Sequence, residues 1–231
     1  MNRRTVALVM IALLLPLGGA VAAEKETAKV ELAVTVLEQL TAIPESAIPP
    51  ELLANAYGIA IVPEVIKVGL VVGGRYGTGV VLVRDEAGRW SNPVFISLTG
   101  GSVGWQIGAE STDVVLVFKN RRSIEGMMKG KFTLGVDAGV AAGPVGRRVE
   151  GATDAQLKAE IYSYSRSRGI FAGISLEGSA LQVDNEANAA FYGRPGIGAG
   201  ELLAGRDVPT PEAAERLRLT LEKYAGGKSK P

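Results

Sequence analysis

The sequence predicts an α+β fold: a strongly curved, mainly antiparallel sheet or small barrel, with flanking helices. Three observations carry this expectation. Runs of β-branched and apolar residues recur between positions 58 and 119, and the connections between them are too short for crossover helices. The third is 30 glycines in 231 residues, about twice the usual share, set inside apolar runs with neither a collagen period nor a linker composition. Glycine within strands marks bends and close backbone approach, so the sheet is expected to curl. With 47% hydrophobic and 21% charged residues, the chain suits one folded domain.

Residues 1–23 read as a secretory signal peptide. Arg3 and Arg4 precede an apolar run over 6–17, and small residues fill 18–23, with cleavage expected after Ala22 or Ala23. Removing this segment takes two of the 25 basic side chains and none of the 24 acidic ones, leaving a single domain of residues 24–231 with a formal charge of −1. The expected location is periplasmic or secreted, with any attachment to an envelope membrane made by the folded surface.

Residues 24–41 predict a helix, because Val30, Ala33, Val34, Leu37 and Leu40 recur at helical spacing. Its acidic balance favours packing on the domain over attraction to anionic lipid. Pro44, Pro49 and Pro50 interrupt the pattern, and residues 51–57 form a second, short helix. Strands are expected at 58–62, 68–74, 79–84, 94–98, 102–109 and 114–118, with a hairpin turn at 85–88 and another turn at Gly100-Gly101. A surface helix at 121–129 is followed by strands at 131–136, 138–142, 160–165 and 169–183. Asp184 caps a helix at 185–192 that ends before Gly193. Thr210-Pro211-Glu212 opens a last helix with Ala214, Leu217, Leu221 and Tyr224 on one stripe, stopped by Gly226-Gly227.

Histidine and cysteine are both absent, which excludes disulfides, thiol nucleophiles, imidazole bases and most transition-metal sites. The glycine cluster at 73–79 is followed by the strand-like Val80–Val83 rather than a helix, so it reads as a strand connection and not a nucleotide loop. Residues 193–200 read as another loop. Ser102 and Ser175 lack a nucleophile-elbow spacing, and Asp113, Asp137, Glu160, Glu177 and Asp184 read as structural carboxylates at strand ends. No enzyme, cofactor or metal is expected. Basic residues concentrate at Lys119, Arg121, Arg122, Lys129 and Lys131, with Met127 and Met128 among them, a combination suited to an interfacial phosphate contact. Val30, Leu37 and Met127 are candidates for apolar insertion. Tyr162, Tyr164, Arg166 and Arg168 alternate along one strand and read as a partly exposed sheet face. With no positive excess, nucleic acid is not an expected partner.

The runs Gly58-Ile59-Ala60-Ile61-Val62-Pro63, Val65-Ile66-Lys67-Val68-Gly69, Gly73-Gly74-Arg75-Tyr76-Gly77 and Trp90-Ser91-Asn92-Pro93 resemble the SYLF domain family, also called the Ysc84 actin-binding or DUF500 family. Residues 106–110, 112–113, 130–135, 141–147, 162–165 and 169–179 continue the likeness in order, and Asn188-Ala189-Ala190-Phe191-Tyr192-Gly193 completes it. The resemblance is to standalone exported bacterial members. It implies a non-catalytic phospholipid-binding module, with anionic phospholipid or a membrane surface as partner. Lys67 and Arg75 lie in matching motifs and Lys131 opens another. Together with Arg121, Arg122 and Lys129 they are the candidate phosphate contacts. The alternative is a structural envelope protein that binds another protein, with lipid contact incidental.

Overall fold

The computed structural model describes residues 3–39, 48–69, 72–103, 108–144, 158–167, 170–204 and 208–225. Its centre is a nine-stranded sheet in the order β5-β9-β3-β2-β1-β4-β7-β6, with β8 paired to β7. The strands are β1 (Gly58–Gly69), β2 (Val72–Val83), β3 (Val94–Val103), β4 (Gly108–Phe118), β5 (Phe132–Thr133), β6 (Val140–Ala142), β7 (Ile161–Ser167), β8 (Ile170–Gly173) and β9 (Ala180–Val183). All pairings are antiparallel except β6 with β7. The expected α+β architecture with a curled sheet and flanking helices is present.

The helices are α1 (Arg3–Gln39), α2 (Pro50–Ala54), α3 (Arg121–Met128), α4 (Asn185–Tyr192), α5 (Ala199–Ala204) and α6 (Glu212–Tyr224). Helix α1 is unbroken through Ala22 and Ala23, across the junction expected between leader and domain. Its expected stripe is used internally: Val30, Ala33, Val34 and Leu37 are buried against α4, α6 and the β1–β2 region. Local chemistry sets the α4 boundaries as expected. The Asp184 carboxylate accepts from the Ala187 N–H at 2.9 Å, and Gly193 closes the helix in the left-handed region at φ 62°. Helix α6 buries Ala214, Leu217 and Leu221. Leu40, Thr41, Arg168, Gly169, Gly226 and Gly227 lie outside the described residues.

Several strand boundaries differ from expectation, for one recurring reason: glycine and proline here sit inside strands. Of expected strand 68–74, residues 70 and 71 lie outside the described residues and the rest divides between β1 and β2; of expected strand 102–109, residues 104–107 lie outside them and the rest divides between β3 and β4. Conversely, the glycines at 73–79 are interior to β2, and Gly100-Gly101 is interior to β3. The 73–79 segment is therefore not a strand connection, because β2 must press against β1. A Cβ at Gly79 would overlap the Ile61 carbonyl oxygen and lie 2.6 Å from Val62 Cα, and one at Gly77 would lie 2.8 Å from Val65 Cγ2. The expected strand 169–183 divides into β8 and β9, which pair with different partners on opposite sides of the sheet. Only short strands, β5 and β6, form at 131–136 and 138–142, and part of the expected loop 193–200 starts helix α5.

Strand β1 continues through Pro63 because a bulge absorbs the missing donor. Register shifts between Val62 and Val65 against β4, and Glu64 takes φ 52°, the one positive φ outside glycine among the described residues. The Asp113 carboxylate holds this turn. One oxygen accepts from the Glu64 N–H at 3.1 Å, and the other accepts from Arg166 Nε at 2.8 Å and Nη2 at 2.5 Å.

Two tests follow from this packing. Gly79→Ala should cost at least ~3 kcal/mol, since its methyl meets backbone that cannot yield. Gly101→Ala, with nothing within 4 Å of the new methyl, should be nearly neutral, and chemical denaturation of both variants separates these outcomes. Glu26, on α1, is raised above its ordinary carboxylate value chiefly by burial; Asp184 adds to the rise, while Lys25 and Lys29 oppose it. The folded state therefore holds this proton more tightly than the unfolded chain, and stability falls as pH rises through the carboxylate range. Glu26→Gln should raise the melting temperature at pH 7, with the gain vanishing near pH 4.

Candidate functional site

Antiparallel register places Lys67 of β1 directly across from Arg75 of β2, so both side chains leave the same face of the sheet. Val65 precedes Lys67 on that face, and Thr112 and Val114 of β4 and Ser165 of β7 continue it. The segment 174–176 folds over these strands and closes a cavity of about 310 Å³. Its chemistry is two cations, the hydroxyls of Thr112, Ser165 and Ser175, and an apolar wall that includes Val65, Val114 and Leu176.

The cations are partly withdrawn from water. Burial pulls the Arg75 guanidinium below its ordinary value, and its Nε is buried with no hydrogen-bond partner among the described residues. Ser179 Oγ is in the same condition. It lies beside the cavity's edge: Gly100 is the β3 partner of Arg75, and a Cβ at Gly100 would come within 2.5 Å of Ser179 Oγ. Neither Lys67 nor Arg75 forms an ion pair with a described side chain. Glu110 is the register partner of Lys67 on β4. Two adjacent cations with convergent hydroxyls suit an oxyanion of phosphate type, and orphaned donors mark where such a group would gain most.

The remaining basic residues chosen from sequence do not join this pair. Helix α3 begins at Arg121, beside the start of β1: a Cβ at Gly58 would meet the Ile124 side chain. Lys67 lies nine positions along β1 from Gly58, roughly 30 Å of strand. Arg121 and Lys129 line a groove of about 970 Å³ floored by Val83, Ile124, Met128 and Leu203. Two of the cations there are paired: Arg121 meets Glu86 at 3.2 Å, and Arg89 meets Asp85 at 2.9 Å. Arg84 lies 4.4 Å over the Trp90 ring and donates to the Ala54 carbonyl. Arg122 is exposed and its charge helps lower Glu160, whose main stabilisers are hydrogen bonds from Asn120 and Ser123. Lys131 is exposed just before β5.

Two expectations need correction. Met127, Val30 and Leu37 are fully buried and are not available for insertion into a membrane. Tyr162 and Tyr164 are buried rather than part of an exposed face, and Arg166 is committed to Asp113. Four of the five carboxylates are structural as read: Asp113 holds the β1 bulge, Asp137 accepts from the Thr133 N–H, Asp184 caps α4, and Glu160 anchors the start of α3; Glu177 is exposed. Sequence reasoning missed Thr112, Ser165 and Ser179, and noted Ser175 only as a nucleophile. No local motif joins them, since they come from different elements.

Residues 99–224 match the family described as "Ysc84: Las17-binding protein actin regulator". The chain is 41% identical over 201 residues to SH3 domain-containing YSC84-like protein 1 of Xenopus laevis, covering 83% of this chain and 60% of that protein. The Homo sapiens protein of the same name is 39% identical over 198 residues, covering 83% and 57%. LAS seventeen-binding protein 3 of Saccharomyces cerevisiae (strain ATCC 204508 / S288c) is 39% identical over 184 residues, covering 78% and 39%. The chain thus spans little more than half the length of the animal relatives. These names are of binding and regulatory proteins, not enzymes.

Proposed function

The chain belongs to the Ysc84 family, also called SYLF, and from that premise we propose that it is a non-catalytic phospholipid-binding module, exported and acting at an envelope membrane. The observation that carries this reading is the Lys67–Arg75 cavity. Its cations and hydroxyls match the charge and hydrogen-bonding demand of a phosphate head group, and its apolar wall tolerates the attached glycerol. The export step rests on the pattern of residues 1–23. Arg122, Lys129 and Lys131 are exposed and act as peripheral charges, attracting an anionic surface without holding a single phosphate.

A second reading is a structural envelope protein that binds another protein, with lipid contact incidental. The α3 groove favours it, because an apolar floor with alternating charges on its rim suits a polypeptide better than a phosphate. The yeast relative's name assigns it a protein partner, LAS seventeen. An exported chain would not meet cytoskeletal actin or its regulators, so that partnership is not carried over here.

Vesicle co-sedimentation of residues 24–231 tests both readings. Binding should favour anionic over zwitterionic phospholipid. Lys67→Gln with Arg75→Gln should lower the anionic affinity at least tenfold, equivalent to about 1.4 kcal/mol. Reversal of Arg121, Arg122, Lys129 and Lys131 to Glu should produce a smaller loss that disappears at high salt. No binding to either vesicle type, together with a discrete lipid-free complex on crosslinking in envelope extracts, would replace the first reading with the second.

A further inference from the structure

The same strand ends that carry the cation pair carry an apolar strip on their other face. Seven large hydrophobic residues are exposed among the described residues, and three of them are clustered: Ile66, Val68 and Tyr76, with 51%, 56% and 56% of their surface accessible. Ile66 pairs directly with Tyr76, and Val68 lies two residues further along β1, so the three side chains leave one face side by side. Lys67 and Arg75 alternate with them and turn to the opposite face. Beside the strip the register places exposed Ser111 across from Ile66 and exposed Thr99 across from Tyr76, both uncharged. The next side chains on β4 and β7, Asp113 and Arg166, neutralise each other. Glu64 is the exposed acid nearest in sequence, two residues before Ile66.

We propose that Ile66, Val68 and Tyr76 form a bilayer-contact strip, seated in the interfacial layer of a phospholipid membrane while Lys67 and Arg75 face a head group from the opposite side of the same strands. This rests on the phospholipid reading above and gives it an orientation. Two observations select a bilayer over a second copy of the chain. The strip supplies only on the order of 300 Å² of apolar surface, far below the roughly 800 Å² per partner that a stable protein interface buries. It also sits within one residue of two cations, the combination of apolar contact and positive charge that interfacial binding to anionic lipid uses. Tyrosine suits that depth, with an apolar ring and a polar tip. The other apolar segments considered from sequence are excluded by burial, since Val30, Leu37 and Met127 pack inside the domain.

The test compares two variants on two probes. Ile66→Thr/Val68→Thr/Tyr76→Thr keeps β-branched residues in the strands and removes the strip. Lys67→Gln/Arg75→Gln removes the cations. The probes are vesicles of phosphatidylcholine with one-fifth phosphatidylglycerol, and soluble glycerol 1-phosphate, which has the head-group phosphate but no acyl chains. The threonine variant should bind glycerol 1-phosphate like the parent. Its vesicle affinity should fall at least tenfold, with the residue released completely by 0.5 M salt, on the order of a 4–5 Å screening length. Parental binding should be only partly released. Vesicle binding by the threonine variant equal to the parent's would overturn the proposal. So would a dimeric parent in sedimentation that becomes monomeric in this variant, which would assign the strip to a second copy. If the glutamine variant keeps both affinities while the threonine variant loses vesicles, the head-group reading fails and the strip stands. Should the triple substitution not fold, Tyr76→Thr alone carries the vesicle comparison.

Discussion

The Asp113 carboxylate fixes which face every later residue of β1 presents. It holds Glu64 in a left-handed turn and is itself held by Arg166, so the bulge between Val62 and Val65 is pinned from two neighbouring strands. In a strand the side-chain period is two, and one inserted residue inverts the pattern beyond it. With the bulge, Val65 and Lys67 face the cavity while Ile66 and Val68 face out. Without it, Lys67 would leave the cavity and two apolar side chains would enter beside Arg75, leaving that guanidinium's buried Nε against hydrocarbon. The cation pair and the strip of apolar residues are thus two consequences of a single local irregularity.

The glycines of β2 make the same strand pair possible from the other side. At Gly77 and Gly79 the β1 backbone and valine side chains come so close that a methyl group would collide. Segment 174–176, which follows β8, joins these strands in lining the cavity. Arg75 lies two residues before Gly77 on the same face, where the space opens again. Its position explains its electrostatics: far enough inside to be desolvated, near enough to the strand ends to share a cavity with Lys67.

Helices were largely legible in the sequence because their determinants are local. Asp184, the stripe of α6 and Gly193 act within a few residues of where they stand, and each did what the pattern implies. Strand limits were less legible because their determinants are distant. Pro63 and the glycines at 73–79 read as interruptions, and only the Asp113 carboxylate, 49 residues beyond Glu64, shows why Pro63 is not one. The candidate site divides on the same line. Lys67 and Arg75 were identified individually, but their adjacency is a fact of register. The hydroxyls of Thr112, Ser165 and Ser175 arrive from three further elements with no shared motif. The local cluster at Arg121–Lys131 was conspicuous because it is contiguous in sequence, but of its residues only Arg121 and Lys129 line the groove, and Arg121 is paired with Glu86.

The contrast between these two basic regions is one of desolvation, not of charge count. At the α3 groove the positive groups already have Glu86, Asp85 or solvent as partners, so an arriving anion must displace an interaction of comparable worth. At the cavity the cost of withdrawing Arg75 from water is already met by folding, and its Nε has no described partner to lose. An oxyanion entering there recovers part of that cost, and the recovery is larger in a partly enclosed site than at the open surface. Of the two cations Arg75 is the better fitted to an oxyanion, since its planar fork can engage two oxygens at once where a lysine engages one.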